Sequence, residues 1–96
     1  MNLTVPAPVA AQVSALEFPC AFPIKIMGRR QDGFAQTIAE VVVRHAPDFD
    51  PAALEMRTSS AGNYLSLTAT INATSREQLD ALYRDLVAQP MVAMVL

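Results

Sequence analysis

The two residue types with the richest chemistry are nearly absent: the 96 residues hold one cysteine, Cys20, and one histidine, His45. A lone cysteine cannot close an internal disulfide, and one thiolate with one imidazole cannot complete the four-ligand shell of a structural zinc site. No apolar run approaches the ~20 residues that a membrane helix needs. The amino-terminal stretch lacks the basic start and continuous apolar centre of a signal peptide. The expectation is a cytoplasmic chain with no membrane attachment and no metal or other cofactor. Charge is scarce as well: seven basic residues stand against nine acidic ones, net −2, which gives no general attraction for polyanions. Composition therefore argues against a nucleic-acid partner.

What is present is a globular composition, 52% hydrophobic and 17% charged. Residues 1–15 are uncharged, rich in Ala, Val and Pro, and broken by Pro6 and Pro8, so they read as a flexible tail. Residues 16–96, about 80 in number, suffice for one two-layer core and read as a single domain.

The domain is organised around Tyr64 to Ala73. Leu65, Leu67, Ala69, Ile71 and Ala73 alternate with Tyr64, Ser66, Thr68, Thr70 and Asn72, the pattern of a strand with one buried and one wet face. Gly62 and Asn63, which tolerate left-handed geometry, supply the hairpin before it. Ahead of that, Phe18 to Gly28 reads as a strand with Phe22, Ile24 and Ile26 on one side, and Pro19 and Pro23 confine its hydrogen bonding to the later half. Asp32 is the expected N-cap of a helix whose stripe is Phe34, Ile38, Val41, Val42 and His45, and Pro47 ends it near His45. Leu54 to Ser59 forms the second strand. Thr74 and Glu77 offer a capping box for a second helix with Leu79, Leu82, Tyr83, Leu86 and Val87 on one stripe. Pro90 ends it, and Met91 to Leu96 is a last short apolar strand. The order strand, helix, strand, strand, helix, strand folds as an α+β ferredoxin-like βαββαβ sandwich, a four-stranded antiparallel sheet with two helices on one face.

Each candidate for chemistry has a plain structural reading beside it. Cys20 and His45 could pair as nucleophile and base, but no third group or oxyanion pocket is spaced to complete them; His45 closes its helix and Cys20 packs as a small hydrophobe. Arg29 and Arg30, between a strand end and a helix start, with Gly28, Gly33 and Asn63 or Asn72, are the parts of an acylphosphatase-type hydrolase. The loop Gly-Arg-Arg-Gln-Asp-Gly lacks that enzyme's glycine-rich cradle. The open sheet face offers Lys25, Met27, Glu55, Arg57, Tyr64, Ser66 and Thr68. An RNA-binding module on such a face wants two or three exposed aromatics in basic surroundings, and these strands carry one. The densest polar cluster is Ser59, Ser60, Ala61, Gly62, Asn63 and Tyr64, which serves either as plain turn chemistry or as a contact for a ligand or partner. Ser59, Ser60, Gly62, Asn63, Tyr64, Lys25 and Arg29 are the candidate binding residues; no catalytic residue is assigned.

Several blocks taken together resemble the YbeD family of small bacterial proteins: Phe18-Pro19 with Phe22, Lys25 to Gly28, Arg44 to Pro47, Ser59 to Tyr64, Ile71 to Thr74, and Met94 to Leu96. The resemblance spans roughly residues 16–96, and the Ala/Pro-rich segment before it departs from the usual shorter start. It implies a ferredoxin-like fold similar to the ACT regulatory domains that bind amino acids, no assigned enzymatic activity, and a link to lipoate metabolism. The expected function is a small non-enzymatic regulatory or adaptor domain that takes a small-molecule ligand or a protein partner at an ACT-like interface. The bare last strand, with no charge and no obvious bulge to protect it, adds the expectation of a homo-oligomer, a dimer with that strand or the open sheet face in contact.

Overall fold

The computed structural model describes residues 16–96; the expected tail, residues 1–15, lies outside them. The elements are β1 (Cys20–Arg29), α1 (Phe34–His45), a 3-10 turn (Pro51–Ala53), β2 (Glu55–Thr58), β3 (Tyr64–Ala73), α2 (Arg76–Ala88) and β4 (Val92–Val95). All pairings are antiparallel, in the spatial order β2-β3-β1-β4. The fold is the expected ferredoxin-like sandwich, with β2 and β4 at the edges.

The core follows from periodicity. Phe22, Ile24 and Ile26 of β1 and Leu65, Leu67, Ala69, Ile71 and Ala73 of β3 are all buried, because alternate residues of a strand share a face. Onto them pack Phe34, Ile38, Val41 and Val42 of α1 and Leu79, Leu82, Tyr83 and Leu86 of α2. Two expected stripe members sit outside this layer: Val87 is exposed, and His45 is only part-buried.

Four local expectations need correction. β1 pairs with β3 over its whole length, Cys20 to Arg29, so the prolines do not confine its hydrogen bonding. Lys25 exchanges both backbone bonds with Leu96, so Pro23, two residues earlier, turns its nitrogen to the same flank, beyond the last β4 pairing, where no amide is needed. Asp32 is not the N-cap of α1. Gly33 is, at φ 80° and with no side-chain cap, because the chain enters the helix through a left-handed residue that costs glycine nothing. In the hairpin only Gly62 has positive φ; Asn63 does not. The box opening α2 is shifted by one residue from Thr74 and Glu77: Ser75 Oγ accepts from the Gln78 amide at 3.0 Å, and Gln78 Oε1 accepts from the Thr74 amide at 2.7 Å.

Gly28 shows why one position of β1 tolerates no side chain. It faces the helices beside the register shift between β1 and β4, where the pairing steps from Met27–Met94 to Gly28–Val92 and leaves Ala93 as an extra residue, so the last strand is not the regular one expected. A β-carbon on Gly28 would collide with the Met91 carbonyl oxygen and come within 3.0 Å of Phe34 Cζ.

Candidate functional site

The end of β1 and the β2–β3 hairpin meet at one pole of the sheet. The Arg30 amide donates to the Asn63 carbonyl at 2.8 Å, which stitches the loop after β1 to the hairpin. The hairpin is closed by the Ser59 amide on the Tyr64 carbonyl (2.9 Å), the Gly62 amide on the Ser59 carbonyl (2.9 Å) and the Tyr64 amide on Ser59 Oγ (3.2 Å). Ser59 is thus engaged in holding the turn. A β-carbon on Gly62 would lie 3.6 Å from Arg30 Nη1, so the guanidinium rests against the hairpin.

Between the two segments opens a cleft of about 490 Å³ whose wall includes Arg29, Arg30, Asp32, Thr58, Gly62 and Asn63. A wall that includes Arg30, Asp32 and Asn63, with Arg29 at the rim, offers groups for both ends of a small ligand bearing opposite charges. The loop is a poor anion cradle of the acylphosphatase kind. Its Arg30 amide is spent on Asn63, and its Phe34 amide donates to the Gln31 carbonyl at 3.3 Å. Catalysis on a phosphoryl oxygen needs such amides aimed at the substrate.

The open face carries two further depressions. An apolar trough of about 350 Å³ runs over Met27, Ser59, Tyr64, Ala93 and Met94, and a smaller polar one of about 230 Å³ lies over Lys25, Glu55, Arg57, Ser66 and Thr68. The candidate residues therefore divide. Arg29, Gly62 and Asn63 share the polar cleft, Ser59 and Tyr64 line the apolar trough, and Lys25 stands apart in the third depression. Ser60, exposed in the turn, lines none of these three. Arg29 Cζ stands 5.8 Å from the Tyr64 ring centroid, a cation–π contact. Tyr64 is the one exposed aromatic residue of the six.

Sequence reasoning missed Met56 and Thr58 as parts of the polar cleft. Their pairing opposite Leu67 and Leu65 puts them on the helix side of the sheet, yet every residue of β2 is exposed and Met56 is 62% so. The helix layer does not reach the outer edge of β2, which a strand pattern cannot reveal.

It also missed what His45 does. Asp85 Oδ2 accepts from His45 Nε2 at 2.8 Å and from Arg44 Nη1 at 2.7 Å, while Gln89 Nε2 donates to Asp85 Oδ1 at 3.1 Å. A carboxylate only accepts, so the His45 hydrogen lies on Nε2. Burial pushes the Asp85 carboxyl up, but the hydrogen bonds and charges of His45 and Arg44 outweigh it and hold it below its ordinary value. The imidazole is committed to clasping α1 to α2. Cys20 is half-buried against the core. Among the described residues no group of three or more His, Cys, Asp or Glu could hold a metal ion, and no helix is long and apolar enough to cross a membrane.

Fold and clefts together define a small ferredoxin-like α+β domain with an open sheet face and a polar cleft at one pole. Residues 13–96 match the family described as a protein of unknown function, DUF493. A UPF0250 protein of Bordetella pertussis is 56% identical over 88 residues, covering 92% of this chain and 97% of that one. Those of Nitrosomonas europaea and Ralstonia nicotianae are each 58% identical over 83 residues, covering 86% of this chain and 95% and 86% of theirs. The chain belongs to the DUF493 (UPF0250) family, which is the YbeD family.

Proposed function

We propose that this chain is a regulatory or adaptor domain that acts by binding, without catalysis, and holds a small ligand in the polar cleft between the loop after β1 and the β2–β3 hairpin. The observation that carries this reading is the cleft's mixed charge, with Arg30 and Asp32 in its wall and Arg29 at its rim, which suits an amino-acid-like ligand with a carboxylate and an ammonium group. The resemblance to ACT domains agrees with it. The proposed link to lipoate metabolism rests on the family resemblance, and free lipoate, a carboxylate, belongs among the ligands to be tried. The domain works as a dimer joined along β4, an edge of four uncharged residues with no covering segment among the described residues and one register shift in its pairing with β1, and its setting is the cytoplasm.

Thermal melts of the full chain against the twenty amino acids and lipoate, each at about 1 mM, test the ligand: a compound at many times its Kd raises the melting temperature by mass action. A rise with at least one compound, lost in Arg30→Ala, is expected. No rise with any of them, or turnover of an acyl phosphate that vanishes in Arg29→Ala, would overturn the reading. Light scattering tests the dimer separately. Val95 is buried toward the helices while Met94 is 52% exposed, so Met94→Lys is the variant that should halve the mass without unfolding the chain. A wild-type mass of one chain at micromolar concentration would remove the dimer.

A further inference from the structure

The apolar trough does not belong to the polar cleft, and its surroundings say what could lie in it. Across the open face the register builds a row from β4 to β2 of Met94, Met27, Ser66 and Arg57. The next row is Leu96, Lys25, Thr68 and Glu55, and at the pole Arg29 pairs with Tyr64. Met94, Leu96 and Tyr64 are each about half exposed, at 52%, 47% and 48%. Apolar side chains thus gather on the β4 side of the face, and the cations stand around them.

Charge is segregated in the same way. Three of the chain's seven cations, Lys25, Arg29 and Arg57, share this face with one of its nine acids, Glu55. The face carries net +2 and the remainder of the chain, four cations and eight acids, carries net −4. Both ion pairs among the described residues go to Asp85 on the helix side, so these three guanidinium and ammonium groups have no carboxylate of their own. Unpaired cations around an apolar trough complement a surface of the opposite charge with apolar anchors, and two methionines give the trough the adaptability to receive them.

The geometry points to the open sheet face as the docking surface for an acidic segment of a partner protein, whose apolar side chains fill the trough over Met27, Tyr64 and Met94 and whose carboxylates meet Arg57, Lys25 and Arg29. RNA suits the face less well. A single exposed aromatic offers one stacking platform, and the acidic remainder of the chain repels a polyanion. The surface shares Arg29 with the rim of the polar cleft and Met94 with the β4 edge, so Lys25 and Arg57, which belong to neither, carry its test.

The test uses the full chain and a phage-displayed library of twelve-residue random peptides. Selected peptides are expected to alternate apolar residues with Asp or Glu, to shift the Met27 methyl and Tyr64 ring resonances, and to bind about tenfold more weakly to Arg57→Glu or to Lys25→Glu. Melting temperatures confirm that both variants, altered at exposed positions, remain folded; Tyr64→Ser serves as a third should either fail. Selected peptides without an acidic excess, or with unchanged affinity for the variants, overturn the proposal. So does a single-stranded RNA twelve-mer that moves the same resonances at lower concentration. Shifts of Met27 and Tyr64 that grow with protein concentration alone would give the face to a second copy, and nuclear Overhauser contacts from residues 1–15 to Met27 would give it to the chain's own amino-terminal segment. Either contradicts a partner docking there.

Discussion

Gly28→Ala is the smallest change that interrogates how β1, β4 and α1 fit together. In an ordinary strand position it would be neutral or stabilising, since alanine removes unfolded-state freedom worth about 0.4 to 1 kcal/mol. Here the new methyl collides with the Met91 carbonyl oxygen and reaches within 3.0 Å of Phe34 Cζ. A phenyl ring can tilt away, but a backbone carbonyl moves only with its strand, and β4 is four residues long with little pairing to lose. Overpacking of this kind costs about 1 to 3 kcal/mol, which outweighs the entropic gain. At roughly 4 to 8 °C per kcal/mol for a domain of this size, a net loss of one to two units lowers the melting temperature by about 4 to 16 °C. Urea unfolding gives the free energy directly, and the companion variant Phe34→Leu separates the two obstacles. If the carbonyl is the obstacle, adding Phe34→Leu restores none of the loss. A Gly28→Ala chain as stable as the parent, or one fully rescued by Phe34→Leu, would refute the steric reasoning.

Leu67→Ala, at a fully buried site in the middle of β3, should cost about 2 to 5 kcal/mol in urea unfolding; an unchanged midpoint would remove Leu67 from the core. The Asp85 carboxyl, held below its ordinary value, adds stability that is present above the unfolded pKa of about 3.9 and lost as pH falls through the lower folded value. Asp85→Asn should accordingly lose less stability than the parent between roughly pH 5 and pH 2, and parallel curves would contradict the clasp. At the other end burial pushes Tyr83 up to about 12, so its contribution is present below about pH 10 and lost as pH rises through the folded value. Tyr83→Phe should flatten the alkaline limb while losing the hydrogen bond from its hydroxyl to the Leu96 carbonyl, 3.2 Å, worth about 0.5 to 1.5 kcal/mol. An unaltered alkaline limb would count against burial as the cause.

The architecture was legible because its signals are periodic. Leu65 to Ala73 alternates without a fault, and both helices keep their apolar spacing through the residues that prove buried. Features that depend on two distant segments were not legible. The clasp joins His45 to Asp85 across 40 positions, and nothing local to either marks it. Asp32 and Thr74 have the right chemistry for caps, but the path of the chain gives those roles to Gly33 and Ser75, a choice made by the entry angle of each helix. Gly62 and Asn63, identified from turn chemistry, and Arg29, identified from its place between a strand end and a helix start, do share a cleft. Ser60 came from the same turn cluster and Lys25 from the open sheet face, and the register places Lys25 in another depression. The exposed underside of β2, with Met56 and Thr58, depends on how far the helix layer extends.

The central claim, that the domain binds a small ligand in the cleft at the pole, is tested most directly by titrating the isotopically labelled full chain with each amino acid and with lipoate while following its backbone amide resonances. Saturable shifts at Arg30, Gly62 and Asn63 with at least one compound, absent in Arg30→Ala, are the predicted result. Spectra that stay unchanged at those three amides for every compound would contradict it.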